Sequence, residues 1–180
     1  MKMTETTLSG VYVIEPQVFG DHRGWFFESF SEQKEKDIVK DTFVQDNHSS
    51  SAQKGTLRGL HFQQNPHAQS KIVRCTRGKI LDIAVDIRKG SPNYRKWVAI
   101  ELSADNFKQL YIPAGFAHGF LTLTEDVEIQ YKASDYYTPD CDRSIKWNDP
   151  TIGVEWNIEK PILSTKDQNA PLLDDSDCNF

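Results

Sequence analysis

Residues 80–87 read ILDIAVDI, and this alternation decides the fold class. In an extended chain the apolar residues at every second position, from Leu81 onward, share one face, while Asp82 and Asp86 lie on the other. Turn-forming residues bound the segment, with Gly78 before it and KGSP, residues 89–92, after it. The stretch therefore predicts a β-strand.

Similar short segments lie on both sides of this strand. They are residues 11–15, 43–47, 97–102, 109–112 and 127–131. One helix is predicted, capped by Ser31 and running to about Val39. Many short strands joined by Gly and Pro turns are typical of an antiparallel sandwich or barrel. We therefore expect an all-β jelly-roll barrel with a few short helices, one domain over 1–180, and a ligand site between its sheets.

The composition excludes several classes of protein. Acidic residues outnumber basic ones by 26 to 21, which argues against a nucleic-acid-binding surface. The start of the chain has no apolar run long enough for a signal peptide or a membrane span. The cysteines are odd in number and widely spaced, which predicts neither a disulfide framework nor a CxxC metal site: Cys75, Cys141 and Cys178. We expect a cytoplasmic protein that binds neither nucleic acid nor membrane.

The stretch TLRGLHFQQNPHAQSK, residues 56–71, carries the first candidate functional residues, Arg58, His61 and Lys71. Pro66 predicts a turn between two strands. Burying a histidine near a lysine is costly unless the charge is compensated, and catalysis is one reason to accept that cost. Arg58 and His61 are three residues apart, so both face one cavity only if Gly59 allows a bulge.

Three later residues could complete an acid–base site. His118 lies in PAGFAHGF, residues 113–120, which predicts a constrained turn. Tyr131 shares the face of its strand with Ile129 and is expected to point inward. Asp167 lies near a predicted turn. A lone histidine is more often a core residue than a catalyst, but a histidine oriented by a carboxylate makes a general base, and a tyrosine opposite it can act as the acid.

The aromatic residues of WFFESF, residues 25–30, predict a strand covered on both faces. Arg23, at the turn before them, fits either a solvated turn residue or an anion ligand. Arg143 and Lys166 could likewise be surface charges of little energetic weight, or could join an anion site suited to a diphosphate.

Several segments, taken in order, resemble the dTDP-4-dehydrorhamnose 3,5-epimerase family of deoxysugar biosynthesis. They are FGDHRGWFFESF, FVQDNHS, TLRGLHFQ with the later Lys71, DIRKGSP, YIPAGFAHGF, VEIQYKASDYYTPDCDR, WNDP and LSTKDQNAP. The resemblance spans nearly the whole chain. It implies a cupin-type jelly roll, a homodimer with strands exchanged between subunits, and neither a metal nor an organic cofactor.

The resemblance also implies roles. The substrate would be dTDP-4-dehydro-6-deoxy-D-glucose and the product dTDP-4-dehydro-L-rhamnose, the precursor of dTDP-L-rhamnose. His61 matches the base, Asp167 its partner, Tyr131 the acid on the opposite face and Lys71 the residue near the C4 oxygen. The matches to substrate-binding residues are Arg23, Glu28, Gln45, Asp46, Asn47, Arg58, His118, Tyr137, Asp142 and Lys166.

Elementary chemistry agrees with this set. A proton next to a ketone is too weakly acidic for neutral histidine unless a cation stabilises the developing enolate, which is typically worth ~2.7–4 kcal/mol.

A metal site is a rival interpretation, but His61 lacks the second histidine of a His-x-His pair, and an ammonium at Lys71 would oppose a divalent cation. The remaining alternatives are a 3- or 5-monoepimerase, a 3,4-ketoisomerase, a non-catalytic jelly roll that binds a nucleotide sugar, and a metal-dependent dioxygenase.

Overall fold

The computed structural model describes residues 1–180, and almost all of its regular structure is β. The strands are β1 Lys2–Glu5, β2 Tyr12–Glu15, β3 Phe19–Asp21, β4 Gly24–Phe26, β5 Gln45–Ser51, β6 Leu57–Gln63, β7 Lys71–Arg77, β8 Lys79–Asp86, β9 Trp97–Ser103, β10 Gln109–Ile112, β11 Phe116–Thr122, β12 Val127–Ala133 and β13 Asp142–Ser144. The helices are α1 Glu32–Glu35 and α2 Thr165–Gln168, with 3-10 turns at Pro139–Cys141 and Leu173–Asp175.

The strands form two main sheets and a separate hairpin. The six-stranded sheet has the order β1-β2-β10-β7-β12-β5, the five-stranded sheet has the order β13-β6-β11-β8-β9, and β3 pairs only with β4. Every ladder between these strands is antiparallel. This arrangement confirms the predicted all-β, cupin-type jelly roll with a few short helices.

Strand β8, which lies beside the central strand β11 of the five-stranded sheet, is buried on both of its faces. Ile80 and Ala84 pack into the core between the sheets, together with residues of β7, β10 and β12 such as Ile129. Ile83 and Val85 point the other way and pack under the C-terminal segment, which runs from residue 145 to the end of the chain. The alternation predicted the strand correctly, and the structure adds that Asp82 lies on its inward face.

A smaller apolar cluster covers the outer face of the six-stranded sheet. Ile14, Ile72 and Tyr111 of this sheet pack with Val39 from the segment around α1. The predicted helix was too long, because α1 ends at Glu35 and the next turn closes on the Glu35 carbonyl. The Ser31 side chain makes no capping bond; its backbone N–H donates instead to the Glu35 carboxylate.

Three local predictions were wrong. Trp25 and Phe26 are 62% and 65% exposed rather than covered on both faces, because the β3–β4 hairpin belongs to neither sheet. His118 lies within strand β11 rather than in a turn, because the turn is complete by Gly115. The strand predicted at 43–47 begins later and continues to Ser51, since β5 pairs with β12 along its whole length.

All three cysteines are buried and free. None of the helices has the length and apolarity that a membrane span requires.

Candidate active site

An irregularity in β6 brings two candidate residues to one face. His61 pairs with His118 of β11, and Arg58 pairs with Phe120, so the register shifts between these pairs. Gly59 makes the shift feasible: its φ is +125°, and a Cβ atom there would lie 2.5 Å from the Cα of Gly119. The bulge required for Arg58 and His61 to share a face is therefore present.

His61 is bonded to the carboxylate of Asp167. Its Nε2 lies 2.5 Å from Asp167 Oδ1. Asp167 is only 1% exposed and lies on α2, whose N-cap Ser164 accepts a bond from the Asp167 N–H and donates its hydroxyl to Asp167 Oδ2. Burial acts to raise the pKa of Asp167, but the bonds from His61 and Ser164 lower it below its usual range. Asp167 is therefore a carboxylate that can orient the imidazole ring.

Lys71 and Tyr131 lie on the inner face of the opposite sheet. The Lys71 ammonium is 5.9 Å from the centre of the Tyr131 ring. Burial lowers the pKa of Lys71 to about 8, opposed by the charges of Asp142 and Asp82. Burial also raises the pKa of Tyr131; Asp142 adds to this and Arg58 opposes it. At neutral pH the site therefore contains an ammonium and a protonated phenol.

Asp142 lies in the same sheet as His61 and acts by its charge on residues of the opposite sheet. It lies on β13, two residues before Ser144, the pairing partner of His61, so Asp142 and His61 share a face. The charge of the same residue acts on both Lys71 and Tyr131. His61, Lys71 and Tyr131 consequently face one interior from two directions.

Predicted binding residues form a connected group beside this interior. Asp142 Oδ2 accepts bonds from Lys166 at 2.5 Å and from the Tyr137 hydroxyl at 3.3 Å. Gln45 binds the backbone N–H of Tyr137 through its carbonyl and donates its amide to Asn47 at 3.0 Å. Arg58 is held separately by the Ser51 hydroxyl and the Ser50 carbonyl.

Three predicted residues lie outside this group. Asp46 points to the opposite face of β5 from its neighbours, because successive side chains alternate along a strand, and it pairs with Lys132 at 2.8 Å. Arg23 pairs with Asp21 at the tip of the exposed hairpin. Glu28 pairs with Lys34 at the surface.

Three residues of the site had not been predicted. Asp82 is fully buried and bonds His118; its position among apolar residues of a strand was the available signal. Ser164 was recognisable as a helix cap, since an acidic residue follows three positions later. Gln63 is buried and holds the 136–138 segment by binding the Tyr136 carbonyl and the Thr138 N–H, and nothing in the sequence indicated this.

The structure contains no group of three or more His, Cys, Asp or Glu side chains arranged to hold a metal ion. His61 and His118 are each bonded to one aspartate. The interior offers a base, a cation and an opposed acid, which together can move a proton from one face of a carbon to the other.

Comparison with known proteins agrees with this chemistry. The chain is 54% identical over 177 residues to dTDP-4-dehydrorhamnose 3,5-epimerase of Salmonella typhimurium, covering 97% of this chain and 96% of that protein. The structure is similar to that of a 3,5-epimerase from Legionella pneumophila in complex with dTDP-4-keto-L-rhamnose, with a TM-score of 0.93, 42% identity, and coverage of 98% and 94%. A 3'-monoepimerase from Streptomyces bikiniensis has a TM-score of 0.89 and 34% identity, with coverage of 96% and 88%.

The sequence profile that describes dTDP-4-dehydrorhamnose 3,5-epimerase matches residues 5–175. These findings confirm the predicted fold, the enzyme class and the 3,5-epimerase activity. The chain belongs to the dTDP-4-dehydrorhamnose 3,5-epimerase family.

Proposed function

We propose that the substrate is dTDP-4-dehydro-6-deoxy-D-glucose and that His61, Lys71, Tyr131 and Asp167 carry out its epimerisation at C3 and C5. The observation that carries this assignment is the convergence of a His–Asp pair and a Lys–Tyr pair from opposite sheets. The complex of the Legionella protein with dTDP-4-keto-L-rhamnose supports the class of substrate.

His61 removes the proton next to the C4 ketone. Its Nε2 nitrogen donates to Asp167, so Nδ1 carries the free electron pair that accepts the proton. The carboxylate of Asp167 stabilises the imidazolium that forms, as an aspartate does for the histidine of a catalytic triad. The His61 side chain is 32% exposed, so its ring is accessible to a ligand.

Lys71 and Tyr131 complete the reaction. The Lys71 ammonium stabilises the negative charge that develops on the C4 oxygen of the enolate. Tyr131, on the sheet opposite His61, returns a proton to the other face of the carbon, and this inverts its configuration. Because the pKa of Tyr131 is raised by burial, the phenol holds its proton at neutral pH.

The remaining residues bind the nucleotide. Arg58, His118 and Lys166 supply cationic or polar contacts for the diphosphate. Gln45, Asn47 and Asp142 line the side of the site where Tyr137, 56% exposed, offers a ring on which the base can stack. Five of these residues form one connected group of hydrogen bonds: Gln45, Asn47, Tyr137, Asp142 and Lys166.

We further propose a homodimer in which the partner subunit's Arg23, Glu28 and Asp46 complete the binding site. Two features support an exchange of strands: the exposed aromatic rings of the β3–β4 hairpin, and the free edge of β5 at the end of its sheet.

The core shared by both sheets supports one domain over 1–180. Three free cysteines fit a cytoplasmic location.

The test is incubation with dTDP-4-dehydro-6-deoxy-D-glucose in deuterium oxide, followed by NMR of C3 and C5. Deuterium at both carbons with inverted product is expected. Incorporation at one carbon would favour the alternative, a monoepimerase, which the similarity to the Streptomyces bikiniensis protein makes the second candidate. A bound substrate without any incorporation would contradict both and leave a binding protein.

A further inference from the structure

A second His–Asp pair lies beside the first. His118 on β11 is the direct pairing partner of His61 on β6, so both rings point into the same interior. His118 Nε2 lies 2.8 Å from Asp82 Oδ1. Asp82 is 0% exposed, and its Oδ2 atom is buried without a hydrogen-bond partner. Burying a carboxylate with one unpaired oxygen costs free energy, which calls for a role beyond packing.

The charges around the Lys71 ammonium come from several elements. Asp82 of β8 and Asp142 of β13 are the negative groups, Lys166 of α2 is the opposing positive group, and the Tyr131 ring of β12 lies against the ammonium. Both aspartates raise the pKa of Lys71 against the effect of burial. Asp142 also accepts a hydrogen bond from the Lys166 ammonium, whereas the only side chain bonded to Asp82 is His118.

We propose that Asp82 is a positioning residue of the epimerase site. One of its oxygens fixes the His118 ring, and its negative charge keeps the Lys71 ammonium protonated inside the barrel. The inference rests on the proposed function, because it assigns to Lys71 the stabilisation of the enolate. The charge of the Lys71 ammonium then depends on the carboxylate of Asp82, which does not itself touch the substrate.

A merely structural role predicts something different. An aspartate that only supports packing would, once replaced, lower the stability of the protein and leave the pH dependence of the reaction unchanged. If Asp82 instead holds Lys71 in its charged form, replacing Asp82 must change the pH at which Lys71 loses its charge. The direction follows from electrostatics: without the negative charge of Asp82, Lys71 loses its proton at lower pH.

The test compares Asp82→Asn with the wild-type protein. The amide retains the shape of the side chain and can still bond His118. The alkaline midpoint of kcat/KM is expected to move down by at least about half a pH unit. Asp149→Asn is the matched control, because Asp149 is equally buried but accepts bonds only from Thr151 and the Leu173 N–H. An unchanged midpoint in Asp82→Asn, or an equal shift in the control, would overturn the proposal.

Two further measurements separate this inference from the proposed function. Titration of the Lys71 Cε resonance by NMR, without substrate, must show the same downward shift in Asp82→Asn, even if the substrate has been misassigned. If this variant does not fold, ¹⁵N NMR of the wild-type protein must show a proton on His118 Nε2 from about pH 6 to about pH 9. A bare Nε2 nitrogen over that range would disprove the bond on which the inference depends.

Discussion

The two His–Asp pairs of the barrel interior use the same chemical groups in different surroundings. The His61 side chain is 32% exposed, whereas the His118 side chain is 10% exposed. Asp167 makes two additional bonds with Ser164, accepting its hydroxyl at Oδ2 and donating its own backbone N–H to it, whereas the second oxygen of Asp82 has no partner. The first pair is open to a ligand and well supported; the second is closed and only partly satisfied.

If His61 is the base, as proposed, a hydrogen-bonded carboxylate does not by itself make a histidine the base. Access to the reacting carbon and full support of the carboxylate distinguish the first pair. The second pair instead holds the negative charge of Asp82 near Lys71, and the Lys71 ammonium in turn stabilises the developing oxyanion. Substitutions in and around the two pairs test whether their roles differ in this way.

The largest effect is expected from His61→Ala. Loss of a general base lowers rates by about 10²–10⁴-fold, and here both carbons should lose deuterium incorporation because one base serves both. The fold should persist, since His61 is not part of the apolar cores. NMR in deuterium oxide measures the exchange.

His48→Ala is the matched control for this variant. His48 also bonds a carboxylate, Glu128, at 3.1 Å, but it is an exposed residue of β5. The control should exchange at the wild-type rate. Retention of most of the activity in His61→Ala would remove the distinction between the two pairs, because His118 could then be serving as the base.

The next largest effect concerns Lys71. The enolate is stabilised by the ammonium form, which is present below its pKa of about 8 and lost above it, so wild-type activity should decline as the pH rises through that value. Lys71→Gln should lower kcat by about 10²–10³-fold. Lys71→Arg should keep part of the activity and remove the alkaline decline.

Lys79→Gln provides the control, since Lys79 pairs with Glu101 on the outside of the barrel. A pH–rate profile for each variant measures the effect. A wild-type profile that stays flat well above pH 8 would show that Lys71 is not the group whose charge is required.

Tyr131→Phe should separate removal of a proton from its return. Both His–Asp pairs stay intact in this variant, so deuterium exchange from the His61 side should persist while formation of inverted product falls by about 10²-fold. The ratio of exchange to product, followed by NMR, is the measurement. Tyr94→Phe, remote from the site and stacked on Arg95, is the control. Equal loss of exchange and product would assign Tyr131 another role.

The sequence predicted the open pair better than the closed one, for a physical reason. The inward direction of Tyr131 follows from local spacing and is present. For Arg58 and His61 the spacing gave only a condition, a bulge at Gly59, and the structure meets it. Asp82 was placed correctly on one face of β8, but alternation could not show that this face is the buried interior. That depends on the C-terminal segment, which covers the other face from far along the chain.

Exposure of the hairpin was unpredictable for a related reason. Trp25 and Phe26 have the hydrophobicity of core residues, and hydrophobicity indicates that a surface needs cover without indicating what covers it. The direction of Asp46, in contrast, follows from alternation alone, since Gln45 and Asn47 on either side of it must face the other way.

The smallest expected effect tests the support of Asp167. Ser164→Ala removes the cap of α2 and the bond to Asp167 Oδ2, while the bond from His61 remains. The lost bond to the carboxylate is worth about 1.5–3 kcal/mol, but only the part of it that differs between ground state and transition state lowers kcat, so we expect a fall of about 2–10-fold. Loss of the cap should lower the free energy of unfolding by about 1 kcal/mol, measured by denaturation in urea.

Ser31→Ala is the control, because Ser31 occupies the N-cap position of α1, a helix of the same length, but its side chain makes no capping bond. It should change neither quantity. If Ser164→Ala lowers stability but leaves kcat unchanged, His61 alone is sufficient to hold Asp167 in place. The open and closed pairs would then differ in access rather than in support, and exposure of the ring would be the property that selects the base.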